Sequence, residues 1–180
     1  MKFMILSDIH GFTEPLDKAL DAFEKENCSM ILFLGDALYH GPRNAFGGSY
    51  NAAEAARKLN RYSDRILAVR GNCDSEVDQM VLNFPLMSDY HIVFDGDRKF
   101  FLTHGHLYNR DNMPPLREGD IFASGHSHIA HLEKKEGIIH FNPGSISLPR
   151  ENSSPSYGLY EDGNLRIVSL GGEVLKSMTI

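Results

Sequence analysis

The sequence predicts an α/β fold made of an alternating N-terminal half and a strand-rich C-terminal part. Three apolar runs before Pro85 are each followed by a stretch with helical spacing, which indicates the order β-α-β-α-β-α. After Pro85 this spacing ends, and turn sequences separate short apolar runs. A chain of 180 residues can bury one substantial core. We therefore expect one domain over residues 1–180, in which both parts form a single α/β sandwich.

The three N-terminal runs are continuous rather than alternating, which is typical of strands covered on both faces. They occupy residues 2–7, 29–34 and 65–69. The predicted helices begin at Thr13, Asn51 and Ser75, and the second and third end near residues 60 and 84. Thr13 is suited to cap the first helix, and Asn51 with Glu54 resembles a capping box.

The chain after Pro85 is predicted to be rich in strands, and its C-terminal third is predicted to be an antiparallel sheet. Residues 90–94 and 99–103 read as a hairpin around Asp95-Gly96-Asp97. Further turn sequences lie at residues 135–137, 162–164 and 171–172. In the N-terminal half, by contrast, residues 36–51 form a Gly- and Pro-rich loop that is longer than most connections, which indicates a functional or mobile segment.

The composition argues against several classes of function. The net charge is −6 and no basic run is present, which disfavours long nucleic acids as partners. A small anionic ligand stays possible where bound cations create a positive site. No apolar stretch approaches the ~18 residues of a membrane span, and the N-terminal run is too short for a signal peptide. We therefore expect a cytoplasmic protein in which Cys28 and Cys73 are free thiols.

Polar residues with metal-binding side chains follow five of the apolar runs. The pair His126 and His128 follows residues 121–124, and at this spacing both imidazoles would leave a strand on one face. The other candidates are Asp8, His10, Asp36, Asn72 and His104. Each alone could be an ordinary cap, turn or core residue, but ligands of open α/β sheets gather at the carboxyl ends of strands. Together they predict a metal site.

The donor set indicates the kind of metal. Carboxylate oxygens and imidazole nitrogens without an obligatory thiolate suit Mn, Fe or Zn in a catalytic site. Seven ligands are too many for one tetrahedral ion. Two ions about 3.5 to 4 Å apart that share a carboxylate would use all seven, and such pairs activate water for the hydrolysis of phosphate esters.

The motifs D-x-H, G-D, G-N, H-G-H and G-H-x-H occur in this order between Asp8 and His128. This series resembles that of the calcineurin-like metallophosphoesterases. The resemblance implies a four-layer αββα sandwich of the metallo-dependent phosphatase type and two divalent ions, most often Mn, with Zn or Fe as alternatives. It assigns Asp8, His10 and His128 to one ion, Asn72, His104 and His126 to the other, and Asp36 to both.

Three longer segments are similar to those of the small bacterial YfcE-type phosphodiesterases. They are residues 40–45, 70–74 and 141–145. This similarity implies a phosphoric diester hydrolase that acts on small substrates. In this hypothesis the phosphate oxygens bind both ions, and a hydroxide that bridges the ions attacks phosphorus in line.

One position departs from the broader family. Many relatives have a histidine after the G-N asparagine, thought to protonate the leaving group, whereas this chain has Cys73. An unperturbed thiol with a pKa near 8.5 is a weaker acid catalyst at neutral pH, so we expect a preference for good leaving groups such as aryl groups. Cys73 could equally be a small residue that fills space.

The remaining candidates concern substrate binding. His40 and Arg43 on the long loop could reach over the ions, and Arg suits bidentate contact with phosphate. His106 could orient His104 from behind. The other histidines in strand-like segments are expected to be structural; they are His91, His131 and His140.

Two other classes of function remain open on the sequence alone. A phosphomonoesterase or a nuclease could use the same pair of ions, although the acidic charge argues against a processive nuclease. A non-catalytic protein-binding scaffold is also possible, because the retromer subunit of this fold is similar in outline. The complete set of seven ligands favours the enzyme. A homo-oligomer is possible, and no membrane partner is expected.

Overall fold

The computed structural model describes residues 1–42 and 47–180. The α-helices are α1 (Thr13–Lys25), α2 (Ala52–Asn60) and α3 (Glu76–Val81), and a 3₁₀ turn spans Ser63–Arg65. The strands are β1 (Lys2–Leu6), β2 (Met30–Phe33), β3 (Ile66–Ala68), β4 (Tyr90–Asp95), β5 (Arg98–Thr103), β6 (Ile121–Ala123), β7 (His131–Lys135), β8 (Ile138–Asn142), β9 (Ser156–Glu161), β10 (Asn164–Ser169) and β11 (Val174–Thr179).

The strands form two sheets. The six-stranded sheet has the order β11-β10-β9-β1-β2-β3, and the five-stranded sheet has the order β4-β5-β6-β8-β7. Strands β1, β2 and β3 are parallel, while β9 runs antiparallel to β1. The prediction of an antiparallel C-terminal third holds for the pairs β7–β8, β9–β10 and β10–β11. It is wrong for β6, which is parallel to β8 and also to β5. The irregular segment 104–120 joins β5 to β6, and β7 lies between β6 and β8 along the chain, so turn signals alone do not reveal these parallel pairs.

The core has two layers, one on each face of β1. Phe3 and Ile5 point towards the five-stranded sheet and pack in a cluster that includes Phe100. Met4 and Leu6 point the other way, into a cluster with apolar residues of α1 and α2. This alternation explains the continuous apolar run, because both faces of the strand are covered. The predicted sandwich of two sheets with flanking helices is confirmed.

The outer face of the five-stranded sheet is covered differently. The irregular segment 104–120 places the ring of Tyr108 on this face, with its centroid 5.2 Å from that of Phe101. Phe101 in turn stacks on Phe122 of β6 at 6.2 Å. Segment 104–120 therefore supplies the covering layer here.

The helix ends agree with the sequence only in part. Asn51 caps α2, since its Oδ1 accepts a hydrogen bond from the backbone N–H of Glu54 at 3.0 Å. Thr13 is not the cap of α1, because its hydroxyl donates to the carbonyl of Ser49, whose own hydroxyl accepts from the N–H of Glu14. Helix α3 ends at Val81 rather than near residue 84. The chain after it is extended, so that alternate side chains enter the core; they are Leu82, Phe84 and Leu86.

Further expectations about hairpins and cysteines agree with the structure. Strands β4 and β5 form the predicted hairpin, and β9 and β10 form another around Asp162-Gly163. Both residues of that turn have positive φ, as a two-residue hairpin loop requires. Cys28 and Cys73 are free thiols. In the described parts of the chain, every helix is too short or too polar to span a membrane.

Candidate metal centre

Six of the seven predicted ligands converge where strands from both sheets end. Asp8 and His10 follow β1, Asp36 follows β2, and Asn72 lies beyond β3. From the other sheet, His104 follows β5, and His128 lies beyond β6. These strands are parallel within their sheets, so their carboxyl ends lie at one edge of the sandwich. Residues distant in the sequence therefore meet in one cluster.

Asp8 lies at the centre of the cluster and is fully buried. Its Oδ1 lies 3.2 Å from Nε2 of His128, 3.8 Å from Nε2 of His10 and 4.0 Å from Nε2 of His104. Its Oδ2 accepts hydrogen bonds from the hydroxyl of Ser7 at 2.6 Å and from the backbone N–H of His126 at 3.1 Å. One carboxylate oxygen is therefore fixed by the protein, and the other faces imidazole nitrogens.

Three imidazoles are oriented by backbone carbonyls. Nδ1 of His10 donates to the carbonyl of Tyr39 at 2.7 Å, and Nδ1 of His104 donates to that of Leu34 at 2.7 Å. Nδ1 of His128 donates to the carbonyl of Leu148 at 2.6 Å. A carbonyl can only accept, so each Nδ1 carries a proton and each Nε2 is directed into the cluster. This is the arrangement in which proteins present histidine to a metal.

Asp36 joins the two sides of the cluster. Its Oδ2 lies 3.4 Å from Nε2 of His104 and 3.6 Å from Nε2 of His10, and its Oδ1 accepts from the backbone N–H of Cys73 at 2.8 Å. Oδ1 of Asn72 lies 3.0 Å from Nε2 of His104. The Asp36 carboxylate thus contacts one histidine from each predicted ligand set.

His126 occupies the rim of the cluster. Its side chain is exposed, and its ring centroid lies 5.1 Å from that of His104. It lines a cavity of about 190 Å³ together with residues of the cluster and its loop; these are His10, Asp36, Gly41, Pro42, Asn72, Cys73, His128 and Arg150. Arg150 lies in no motif of the sequence that indicates a place at this cavity.

Five of the seven predicted ligands have a left-handed backbone conformation, with positive φ. Their φ angles are 55° for Asp8, 51° for His10, 60° for Asp36, 66° for His126 and 62° for His128. Residues with a side chain rarely adopt this conformation, and each instance costs roughly 1 to 3 kcal/mol. Asp and His tolerate it better than bulky residues do. Strain concentrated in one cluster indicates a functional site rather than a set of ordinary turns.

The charges of the cluster are strongly coupled. Burial alone would raise the pKa of Asp8, but the contacts with His10 and His128 outweigh it and hold this pKa far below its usual range. Burial opposes protonation of His104, but Asp36 and Asp8 raise its pKa to about 9. The negative charge of the two carboxylates therefore favours a positive partner in the cluster. A divalent cation would compete with a proton for Nε2 of His104.

The residues fit a metal ion on two observations. Within the described residues, Oδ1 of Asp8 is buried yet accepts no hydrogen bond, although polar atoms so placed are nearly always satisfied. Three groups of side chains each bring their ligand atoms within 4.8 Å of one another. They are Asp8, His10 and His128; Asp8, Asp36 and His104; and His10, Asp36 and Cys73.

The structure shows that Asp74 supports the cluster, a role that the sequence did not indicate. Its buried carboxylate accepts hydrogen bonds from three backbone N–H groups at 2.7 to 2.8 Å. The donors are Asp36, Ala37 and Gly71. The loop after β2 is thereby fixed to the loop after β3. An acidic residue next to a G-N motif could have suggested this role.

Two serines hold the loop after β1 from the other side. The hydroxyls of Ser145 and Ser147 both donate to the main-chain carbonyl of Asp8, at 2.8 and 2.9 Å. Both lie in the segment that follows β8. This segment therefore contacts the backbone of the cluster, although it contributes none of the predicted ligands.

The other predicted residues have mixed outcomes. Cys73 lies beside the cluster, where burial and the Asp36 carboxylate raise the pKa of its thiol to about 12. His40 is buried on the adjoining loop, and its ring packs against Tyr39 and Tyr50. Arg43 lies outside the described residues. His106 contacts the ring of His104 edge-on at 5.4 Å, but the carbonyl of Leu34 orients His104.

Known proteins resemble this chain in sequence and in fold. A family model described as the calcineurin-like phosphoesterase superfamily domain matches residues 1–163. Phosphodiesterase YfcE from Escherichia coli (strain K12) is 41% identical over 173 residues, which is 96% of this chain and 94% of that protein. A solved structure of YfcE, described as a phosphoesterase from E. coli, matches with a TM-score of 0.98 at 39% identity over 100% of both chains.

More distant structures share the fold. Vacuolar protein sorting 29 from Cryptosporidium parvum matches with a TM-score of 0.65 at 18% identity, over 99% of this chain and 98% of that one. At this identity the likeness shows the fold alone.

Proposed function

The chain belongs to the calcineurin-like phosphoesterase superfamily, and from this premise we propose that it is a metal-dependent phosphodiesterase that hydrolyses small diesters at a site for two divalent ions. The observation that carries the proposal is the buried Oδ1 of Asp8, which faces three imidazole Nε2 atoms within 4.0 Å. No ordinary turn or core requires such an arrangement. A cation accounts for it.

The proposed ligand sets follow the contacts of the cluster. Asp8, His10 and His128 would hold one ion, and their ligand atoms lie within 4.8 Å of one another. Asn72, His104 and His126 would hold the other. Asp36 would bridge the ions, since its Oδ2 lies near both His10 and His104. Manganese is proposed because oxygen and imidazole ligands predominate, and Zn or Fe would also suit them.

Two divalent ions supply a water of lowered pKa and positive charge that stabilises the phosphoryl group in the transition state. The protein's own contribution is to hold the ligands before substrate arrives. The carbonyls of Tyr39, Leu34 and Leu148 fix three histidines, so little reorganisation is needed. Arg150 lines the cavity, and its guanidinium could contact a phosphate oxygen.

The leaving group would depart without help from a strong acid of this chain. Cys73 occupies the position after Asn72, and a thiol with a pKa of about 12 donates its proton poorly. This supports a preference for substrates whose leaving group is stable as an anion. The small cavity of about 190 Å³ supports small substrates.

Two further features of the proposal concern the whole chain. Residues 1–180 would act as a single domain, because both core clusters share the residues of β1. A cytoplasmic location is proposed because Cys28 and Cys73 are free thiols, which suit a reducing compartment.

The proposal is tested by metal content and by activity on matched esters. The purified protein, loaded with Mn and freed of excess metal, should contain about two ions per chain. It should hydrolyse bis(p-nitrophenyl) phosphate faster than p-nitrophenyl phosphate. Asp36→Asn should abolish the hydrolysis, and Asp97→Asn, in an exposed turn, should leave it unchanged.

Two results would count against this function. A protein that binds none of Mn, Zn and Fe would be a scaffold rather than an enzyme. A protein that binds two ions but strongly prefers the monoester would be a phosphomonoesterase.

A further inference from the structure

A second, larger cavity lies beside the metal centre. Its volume is about 480 Å³, and His126 lines both it and the cavity of the cluster. We call it the side pocket and define it by the lining residues His106, Asn109, Arg110, Phe122, Ile129 and His140. The proposed hydrolysis makes no use of it. A group attached to a phosphate at the metal centre would reach the side pocket by passing His126.

The floor of the side pocket is aromatic and rigid. Phe122 and His140 are paired across β6 and β8, and their ring centroids lie 6.0 Å apart at an angle of 58°. The ring of Phe122 also stacks on the ring of Phe101. Ile129 adds an apolar surface. Rings placed on strands of a sheet keep their position, so this floor is preformed for another ring.

The permanent charge among the lining residues is already compensated. Nη2 of Arg110 lies 2.6 Å from Oε1 of Glu133 and 3.2 Å from Nε2 of His131. Nε2 of His131 lies 3.0 Å from the same carboxylate oxygen. A second anionic group on the substrate would compete with Glu133 for Arg110. The side pocket therefore favours an uncharged group.

We propose that the side pocket binds one ester arm of the diester substrate, and that this arm carries an uncharged planar aromatic ring, either a simple aryl group or a nucleobase. The proposal rests on the phosphodiesterase function proposed above, because the metal centre must hold the phosphate. The arm would stack on the half-buried ring of His140, beside the buried ring of Phe122. The side pocket would then select among diesters.

The test compares three diesters with the same p-nitrophenolate leaving group. Their second arm is methyl, phenyl or 5′-thymidyl. We expect His140→Ala to lower kcat/KM for the phenyl ester about three- to tenfold through KM, the size of effect that one aromatic contact gives. The methyl ester should change less than twofold. His91→Ala, a matched histidine on β4 that does not line the side pocket, should alter neither.

The nucleoside arm identifies the source of the ring. A similar loss with the thymidyl ester supports a nucleobase, and a loss with the phenyl ester alone supports a simple aryl group. Equal losses with all three esters, or no loss with any, would overturn the proposal.

A binding measurement separates this inference from the proposed function. Phenylphosphonate and methylphosphonate are not hydrolysed, so their dissociation constants from the Mn-loaded protein do not depend on turnover. Tighter binding of phenylphosphonate that His140→Ala removes would support the side pocket even if no diester were cleaved. Equal affinities of the wild-type protein for the two phosphonates would exclude it, whereas absence of turnover alone would count only against the hydrolase.

Discussion

Nε2 of His128 lies 3.2 Å from Oδ1 of Asp8, and this contact joins the two sheets. Asp8 follows β1 of the six-stranded sheet, and His128 lies beyond β6 of the five-stranded sheet. Neither sheet alone could assemble the cluster. The ligand set therefore depends on the sandwich, and binding of an ion should also stabilise the packing of one sheet on the other.

His126 and His128 should serve different ions. His128→Ala should leave about one Mn per chain, because it removes a ligand from the Asp8 and His10 set. His126→Ala should also leave about one, from the other set, as measured by metal analysis after gel filtration. The single Mn ion left in one variant should give an electron paramagnetic resonance spectrum that differs from that of the ion left in the other variant, because the ligands differ. If either variant kept two ions and full activity, this assignment would be wrong.

Metal binding should also be sensitive to a residue that binds no metal. A Cβ atom at Gly71 would overlap both the side-chain Oδ1 and the backbone nitrogen of Asp36, so the carboxylate proposed to bridge the ions would have to move together with its backbone. Gly71→Ala should therefore weaken Mn binding at least about tenfold in a calorimetric titration, and activity should fall in parallel. Gly171→Ala is the matched control, because its Cβ would meet only the hydroxyl of Ser169 at 3.5 Å. Unchanged Mn affinity in Gly71→Ala would contradict the proposed bridge.

An imidazole at position 73 should supply the missing acid. The backbone N–H of residue 73 holds Asp36, and a side-chain substitution keeps that hydrogen bond. Cys73→His should raise the ratio of kcat/KM for alkyl leaving groups to that for aryl leaving groups about tenfold or more, since aryl leaving groups need little protonation. Cys73→Ser cannot act as an acid and should leave the ratio unchanged. The idea fails if both variants behave alike.

The convergence of the candidate ligands could be predicted because each follows an apolar run. Asp36 and His104 follow strands that are recognisable as buried from their consecutive apolar residues. Parallel strands bring their carboxyl ends together at one edge of a sheet. The sequence could not predict the carbonyls that orient the histidines. Leu148, for example, meets His128 only because the segment after β8 folds back, and its residue type does not matter for a backbone contact.

The same limit applies to the fold. The predicted end of α3 near residue 84 is wrong. Leu82 and Phe84 suit a helix by composition, but their alternate burial in the core favours an extended chain. The prediction that Thr13 caps α1 is also wrong, because the hydroxyl of Ser49, on a distant loop, accepts the hydrogen bond from the N–H of Glu14. Both errors arise where tertiary contacts outweigh local preference.

Asp74 provides the test of whether the loops of the cluster are held as a unit. Its carboxylate accepts from three backbone N–H groups, and the amide of Asp74→Asn would turn an N–H towards at least one of these donors. Leaving a buried donor unpaired costs about 1 to 3 kcal/mol, so the free energy of unfolding should fall by about that amount in urea titrations at pH 8. Mn affinity should fall as well, because Asp36 and Gly71 lose a common anchor. The exposed Asp97→Asn should change neither quantity. A variant with reduced stability but unaltered Mn affinity would show that Asp74 supports the fold without positioning the bridging carboxylate.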